Sequence, residues 1–144
     1  MTKISNNQPI LLVEDNPVDL DLTMRAFKSQ NLENPILTAR DGEEALAFIE
    51  KWEKGKPWPV VILLDLKMPK INGLEVLKEL KSNPVLKSIP VVVLTTSSET
   101  SDIKRAYQLG ANSYIVKPVD FEKFLDVAKQ IDLYWRVLNK PDNA

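Results

Sequence analysis

Three carboxylates follow two of the most apolar runs of the chain. Glu14 and Asp15 come directly after the run at residues 10–13, and Asp65 comes directly after the run at 60–64. If these runs are neighbouring parallel strands, the three acids meet at one edge of a sheet. Each pair then repels by roughly 3 kcal/mol at a separation of about 5 Å and an effective dielectric near 20. The pattern therefore predicts a site for a hard divalent cation, Mg²⁺ or Mn²⁺, which carboxylate and phosphate oxygens bind well.

Short apolar runs alternate with longer amphipathic segments along the whole chain. This is the pattern of strand-helix units on a parallel sheet covered on both faces, so we predict an α/β fold with a doubly wound five-stranded sheet. The first helix is predicted to start with Asn16 as its cap and Pro17 at its first position, and to turn Leu20, Met24 and Phe27 toward the sheet. The strands are predicted at residues 9–13, 35–39, 60–64, 90–94 and 113–116, and the last helix from about 120 to 138.

Ligands of such sheets bind at the carboxyl ends of the strands. That edge receives Thr95 and Thr96 from strand four and Lys117 from strand five, beside the three acids. An aspartate can act as a nucleophile and form an acyl phosphate. A metal ion would neutralise the incoming phosphoryl oxygens, and Lys117 and the Thr95 hydroxyl could hold the oxygens that remain.

Composition narrows the possible functions. The 144 residues suit one domain, which we place at 9–138 between a flexible N-terminus (1–8) and a short tail (139–144). Nineteen basic and 20 acidic residues, without a basic run, argue against direct nucleic-acid binding. The chain has neither cysteine nor histidine, so it offers no thiol nucleophile and cannot itself be a phosphohistidine donor. No apolar stretch of membrane-spanning length occurs, and we expect a cytoplasmic protein without membrane contact.

Taken together, the motifs resemble the receiver domain of two-component response regulators, over about residues 8–138. The resemblance implies the strand order 2-1-3-4-5 of flavodoxin-like folds. It also implies a signalling protein, not a metabolic enzyme, in which Asp65 accepts phosphate from a histidine of a partner kinase. The metal would be held by Asp15, Asp65 and the main-chain carbonyl of Lys67, with Glu14 acting through water. The matching positions are Glu14-Asp15, Asp65, Met68-Pro69, Gly73, Thr95-Thr96 and Lys117-Pro118.

The same resemblance implies a switch. Lys117, Thr95 and Thr96 would stabilise the phosphoryl group, and Pro118 would follow a cis peptide bond. Thr95 would move toward the phosphoryl oxygen and Tyr114 would then rotate inward, which changes the face formed by helix four, strand five and helix five. Lys67 and Ser97 are expected to influence the dephosphorylation rate, in a direction that the residues leave open.

A narrower resemblance concerns the small single-domain regulators that partner cyanobacterial phytochrome kinases. It rests on the Pro57-Trp58-Pro59 insert and on the aromatic last helix. It implies a phytochrome-type histidine kinase as donor and a separate molecule, an unknown target or a phosphotransfer protein, as recipient of the signal. The length of the last helix also predicts a homodimer, and its expected partner face comprises Phe121, Phe124, Ile131, Tyr134, Trp135 and Leu138.

Three other functions share parts of this pattern. A phosphatase of the haloacid dehalogenase class also uses an aspartyl phosphate, but it carries a second acid two residues later, where this chain has Lys67. A flavodoxin-like electron carrier would need a hydroxyl- and glycine-rich loop after strand one, where residues 14–17 are acidic and carry a proline. A receiver-like binding module that works without phosphorylation would not need the complete acid, Thr and Lys set.

Overall fold

A computed structural model of the chain describes residues 8–30, 34–55, 57–117 and 120–138, and their side chains as far as Gln130. It contains five strands and five α-helices in strict alternation, with one 3-10 turn. The strands are β1 (Ile10–Val13), β2 (Ile36–Ala39), β3 (Val61–Leu64), β4 (Val91–Thr95) and β5 (Ser113–Val116). The helices are α1 (Pro17–Ser29), α2 (Gly42–Glu53), α3 (Gly73–Ser82), α4 (Thr100–Gln108) and α5 (Phe121–Leu138), with the 3-10 turn at Leu86–Ser88.

All five strands are parallel, in the order β2-β1-β3-β4-β5. This confirms the predicted doubly wound α/β sheet. The order changes direction at β1, where the chain passes from one side of the sheet to the other. Val13 pairs with Leu64 in the β1–β3 register, so the residues that follow them, Glu14 and Asp65, leave the sheet side by side.

The core has two parts, one on each face of the sheet. Alternate residues of β1 divide between them, because successive side chains of a strand point to opposite faces. Leu11 and Val13 pack with α2, α3 and α4, whereas Ile10 and Leu12 pack with α1 and α5. The strands β1 and β3 are fully buried, which explains why both are continuously apolar.

The start of α1 follows the predicted capping chemistry. The Asn16 side chain accepts hydrogen bonds from the amides of Val18 and Asp19, and Pro17 opens α1. Phe27 is buried and Leu20 is partly buried, as predicted, but Met24 is 40% exposed. The prediction for Met24 was wrong because Thr23 and Ala26 share the buried stripe with Phe27 and rotate Met24 toward solvent.

Several predicted features lie outside the described residues. These are the flexible N-terminus as far as residue 7, the Pro118 peptide bond, the tail 139–144, and the side chains of Ile131, Tyr134, Trp135 and Leu138. Among the helices that are described, none is both long and apolar enough to cross a membrane.

Candidate functional site

The three predicted acids converge at the carboxyl edge of the sheet. Each of Glu14, Asp15 and Asp65 places one carboxylate oxygen within 4.8 Å of the other two. Asp65 is only 5% exposed and Glu14 9%, while Asp15 is open to solvent. The Asp65 amide donates to the carbonyl of Val13 at 3.0 Å, which ties the end of β3 to the end of β1.

A single ammonium group neutralises part of this acidic cluster. Lys117 follows β5, and its amide donates to the carbonyl of Thr95 at 2.7 Å. Its Nζ lies 2.5 Å from Glu14 Oε1, 2.9 Å from Asp19 Oδ2 and 3.3 Å from Asp65 Oδ2. An ammonium has three donors, so the lysine side chain, which is 6% exposed, has a carboxylate partner for each of them.

Burial and neighbouring charges have opposite effects on the pKa values of Glu14 and Lys117. Burial raises the pKa of Glu14 to about 7, despite the hydrogen bond and the attraction from Lys117 that lower it. Burial alone would lower the pKa of Lys117, but its hydrogen bonds to Glu14 and Asp19 raise it above its ordinary value. The lysine is therefore charged at neutral pH, and the Glu14 carboxylate is the acid whose ionisation is opposed by its surroundings.

The loop after β3 holds Asp65 from its other side. The Lys67 amide donates to Asp65 Oδ1 at 3.0 Å, and the Gly73 amide donates to the carbonyl of Leu66 at 3.0 Å. A Cβ atom at Gly73 would lie 2.4 Å from the Asp65 carbonyl oxygen and 2.6 Å from the Leu66 Cα. Because both are backbone atoms, the glycine is what allows α3 to start this close to the aspartate.

The end of β4 forms the second wall of the site. Thr95 is completely buried, and its hydroxyl accepts a long hydrogen bond, 3.4 Å, from the amide of Ser97. The next residue, Thr96, is exposed. Tyr114 of β5 is half-buried, and its hydroxyl donates to the carbonyl of Ser97 at 2.9 Å. The loop from Thr95 to Ser97 thus contacts both the site and the aromatic residue predicted to switch.

The donor set fits a hard divalent cation. All three groups offer oxygen, and their separation is near the roughly 4 Å that two ligands of one Mg²⁺ ion can span. Lys117 cannot offset three or four carboxylates by itself, so a cation would relieve the remaining repulsion. Glu14, Asp15 and Asp65 are therefore the residues that could hold Mg²⁺ or Mn²⁺.

Comparison with known proteins identifies the family. Residues 10–129 match the family model described as the response regulator receiver domain. The chain belongs to the response regulator receiver family. It is 43% identical over 132 residues to the probable methanogenesis regulatory protein FilR2 of Methanothrix harundinacea, covering 91% of this chain and 85% of that protein. It is 40% identical over 128 residues to the response regulator Rcp1 of a Synechocystis strain, covering 88% and 87%.

Solved structures show the same relationship. The receiver domain superimposes on the phosphorylated cyanobacterial phytochrome response regulator RcpA with a TM-score of 0.79 at 40% identity, covering 90% of this chain and 94% of that one. The Mn²⁺-bound form of Rcp1 gives a TM-score of 0.78 at 38% identity, with 93% and 96% covered. In both comparisons the superimposed region covers at least 90% of each of the two chains. Response regulators are signalling proteins, and this receiver domain has phytochrome response regulators among its relatives.

The receiver domain brings most of the predicted site residues together. Lys117 contacts Glu14 and Asp65 directly, and Thr95 lies buried beside them at the end of β4. The expected ligation by the Lys67 carbonyl and the expected role of the exposed Thr96 stay predictions. One assignment to the partner face was wrong: Phe124 is 1% exposed and packs with Phe27 in the core between the sheet, α1 and α5, so a second subunit cannot reach it.

Two acids of this receiver domain were not predicted from the sequence. Asp19, in the first turn of α1, binds Lys117, and Asp102, in the first turn of α4, binds Ser97 and Lys67. Acids are common in the first turn of a helix because they interact favourably with the helix dipole, so their type and position carried no specific signal. The partners of Asp19 and Asp102 follow only from the way α1 and α4 pack against the edge of the sheet.

Proposed function

We propose that this receiver accepts a phosphoryl group on Asp65 from the phosphohistidine of a partner kinase. The observation that carries the proposal is the position of the Asp65 carboxylate: one oxygen faces the Lys117 ammonium at 3.3 Å and the other accepts from the Lys67 amide at 3.0 Å. In the reaction, an Asp65 oxygen attacks phosphorus while the bond from phosphorus to the histidine nitrogen breaks. The imidazole leaves and takes a proton from solvent, and an acyl phosphate remains.

The residues around Asp65 have separate tasks in this reaction. Lys117 binds a phosphoryl oxygen with the donor that now faces Asp65, and its bonds to Glu14 and Asp19 hold it in place. The Thr95 hydroxyl can turn to the phosphoryl group at little cost, because its present bond to the Ser97 amide is long. A divalent cation bound by Glu14, Asp15 and Asp65 would supply positive charge for the phosphoryl oxygens.

Movement of Thr95 would be transmitted to the surface through Tyr114. Both residues contact Ser97, one through its amide and the other through its carbonyl. Phosphorylation would thus bias the position of the β4–α4 loop and, with it, the face formed by α4, β5 and α5. To move such an equilibrium from 1:99 to 99:1, the two states must differ in interaction energy by about 5.5 kcal/mol, within reach of a few charge-assisted hydrogen bonds.

Intact-mass measurement after incubation with acetyl phosphate tests the proposal. The wild type should gain about 80 Da, the mass of one phosphoryl group, only when Mg²⁺ or Mn²⁺ is present. Asp65→Asn keeps the shape of the side chain but should show no gain. Asp126→Asn, the same change at an exposed position of α5, should behave as the wild type. An adduct that survives in Asp65→Asn would place the phosphoryl group on another residue and contradict the proposal. No adduct in the wild type would also contradict it and would favour a phosphorylation-independent binding module.

For the donor, we propose a histidine kinase of the phytochrome type, which places the protein in the cytoplasm. The similarity to RcpA and Rcp1, at about the same identity over most of the chain, supports this choice. The chain is similarly identical to FilR2, a probable methanogenesis regulatory protein. A histidine kinase of another pathway is therefore the control donor. Phosphotransfer should be at least tenfold faster from a cyanobacterial phytochrome kinase than from an unrelated histidine kinase. Equal rates would refute this part of the proposal.

We also propose a homodimer that uses the surface formed by α4, β5 and α5. Three large apolar side chains on this side of the molecule are exposed to solvent: Tyr107 by 48%, Val116 by 39% and Phe121 by 38%. The other aromatic residues predicted for this face, Tyr134 and Trp135, have side chains outside the described residues. Sedimentation velocity at tens of micromolar protein, with and without phosphorylation, should show a dimer. Phe121→Ser should weaken the dimer, and a wild type that stays monomeric in both states would refute the proposal.

A further inference from the structure

Asp102 joins α4 to both loops that flank the phosphoacceptor. Its Oδ2 atom accepts a 2.5 Å hydrogen bond from the Ser97 hydroxyl, and the Lys67 Nζ lies 3.4 Å from the same oxygen. Lys67 is two residues after Asp65, and Ser97 is two residues after Thr95. The Asp102 side chain is 18% exposed and the Lys67 side chain 50%, so the ion pair lies at the mouth of the site.

The backbone of the same two residues is attached to the site itself. The Lys67 amide donates to Asp65, and the Ser97 amide donates to the Thr95 hydroxyl. The Ser97 hydroxyl pulls the pKa of Asp102 below its ordinary value, with a smaller contribution from Lys67, so this carboxylate is charged at neutral pH. In this arrangement the Lys67 backbone faces the phosphoacceptor while its ammonium is turned away, toward α4.

We propose that Asp102 is a positioning residue that keeps the Lys67 ammonium away from phosphorylated Asp65 and thereby shortens the life of the acyl phosphate. The inference rests on the proposed function of Asp65. A phosphoryl dianion two residues away competes with Asp102 for the ammonium, and the flexible four-carbon stem of lysine allows the exchange. Asp102 therefore determines which of the two anions Lys67 binds.

The position of Lys67 affects hydrolysis of the acyl phosphate. In that reaction the oxygen of a solvent water attacks phosphorus, the bond from phosphorus to the Asp65 oxygen breaks, and the carboxylate leaves. The proton lost by the water passes to the phosphate or to solvent. An ammonium bound to the phosphoryl oxygens at the open mouth of the site obstructs the approach of the water. Holding Lys67 on Asp102 leaves that approach open.

Asp102→Asn removes the charge of Asp102 and keeps its hydrogen bond. The amide oxygen can still accept from the Ser97 hydroxyl, so the loop keeps its anchor, but the attraction for Lys67 is lost. An exposed ion pair changes the ratio of bound to unbound lysine side chain by about two- to fivefold. We expect the half-life of the acyl phosphate to lengthen by about the same factor, two- to fivefold. Asp102→Glu, which keeps the charge, should restore most of the wild-type rate.

A double-mutant cycle separates this effect from a purely structural one. Lys67→Met removes the ammonium and retains the apolar stem, so Asp102→Asn should change the half-life by less than about 1.5-fold in that background. Asp126→Asn serves as the matched control at an exposed site and should leave the half-life unchanged. Decay is followed by intact mass after removal of acetyl phosphate.

The outcomes distinguish the inference from the proposed function on which it rests. If the wild type forms no adduct, the proposed function fails and the role of Asp102 falls with it. If the adduct forms but Asp102→Asn leaves its half-life unchanged or shortens it, only the role of Asp102 is refuted. The same conclusion holds if Asp102→Asn lengthens the half-life equally with and without Lys67, because the effect then passes through Ser97 and α4.

Discussion

Glu14→Gln should stabilise the protein in the absence of divalent cations. Glu14 is 9% exposed and lies beside Asp15 and Asp65, and its surroundings raise its pKa from 4.5 to about 7. Glutamine has nearly the same shape and resembles the protonated acid, so it avoids the cost of a buried negative charge. Loss of an ion pair with Lys117 would by itself lower the free energy of unfolding. The change expected here is an increase.

The size and pH range of the effect follow from proton linkage. Between pH 4.5, the ordinary value, and about 7, the folded state binds more protons than the unfolded state, so the free energy of unfolding falls as pH rises. Each pH unit of that range corresponds to about 1.4 kcal/mol. The wild type therefore loses about 3 kcal/mol of unfolding free energy once the pH exceeds the folded-state pKa of Glu14, about 7. Lys117 has a raised pKa, and its stabilisation is fully present below its ordinary value of 10.5, so it adds no slope here.

Urea unfolding in EDTA, near pH 4.5 and near pH 8, measures this directly. The variant should match the wild type at the lower pH and exceed it by about 2 to 3 kcal/mol at the higher one. Adding Mg²⁺ should close the gap, because the cation binds the ionised Glu14 of the folded wild type. Glu79→Gln, at an exposed position of α3, should show neither effect. A Glu14→Gln variant that is less stable than wild type near pH 8 without cations would show that the Lys117 ion pair outweighs the cost of burial.

Three further changes test other parts of the structure. Gly73→Ala should destabilise the protein by about 2 kcal/mol or more in urea unfolding and reduce phosphorylation, because its Cβ would meet the Asp65 and Leu66 backbone; Gly55→Ala, which has φ of +96° but open space around it, should cost only about 1 kcal/mol. Tyr114→Phe removes the hydrogen bond to the Ser97 carbonyl and should cost about 1 kcal/mol, whereas Tyr107→Phe, on an exposed residue, should change stability by less than about 0.5 kcal/mol. Asn16→Ala removes the cap of α1 and should lower the unfolding free energy by about 1 kcal/mol, with Asn16→Asp retaining it; equal stability of the alanine variant would argue against the cap.

Much of the fold could be predicted because local chemistry and tertiary structure agree. The buried strands β1 and β3 are continuous apolar runs, and Asn16 with Pro17 marks the start of α1 as helix capping predicts. Gly110 adopts φ of +108° just after α4, the conformation that ends a helix most easily with glycine. The 3-10 turn at Leu86–Ser88 was not predicted, although it follows Asn83-Pro84, a dipeptide typical of turns. The Asn83 side chain accepts hydrogen bonds from the amides of Val85 and Leu86 and so shapes the start of the turn.

Residues at the helix surfaces were predicted less well. Met24 was predicted to face the sheet and Phe124 to face a partner, yet Met24 is 40% exposed and Phe124 is 1% exposed. The apolar period shows that a helix has a buried stripe, but the width and direction of that stripe depend on how α1 and α5 pack against each other. A shift of one residue around the helix is enough to exchange core and surface.

The sequence by itself determined which groups meet at the functional edge. Carboxyl ends of parallel strands converge, so Glu14, Asp65, Thr95 and Lys117 had to share one rim once the strands were recognised. Only the tertiary structure decided how these groups are paired. Lys117 and Lys67 reach Asp19 and Asp102 on helices that are distant in sequence, and the length and flexibility of lysine allow several partners. Which partner is bound depends on distances of a few ångströms between packed elements, and those distances are set by the core.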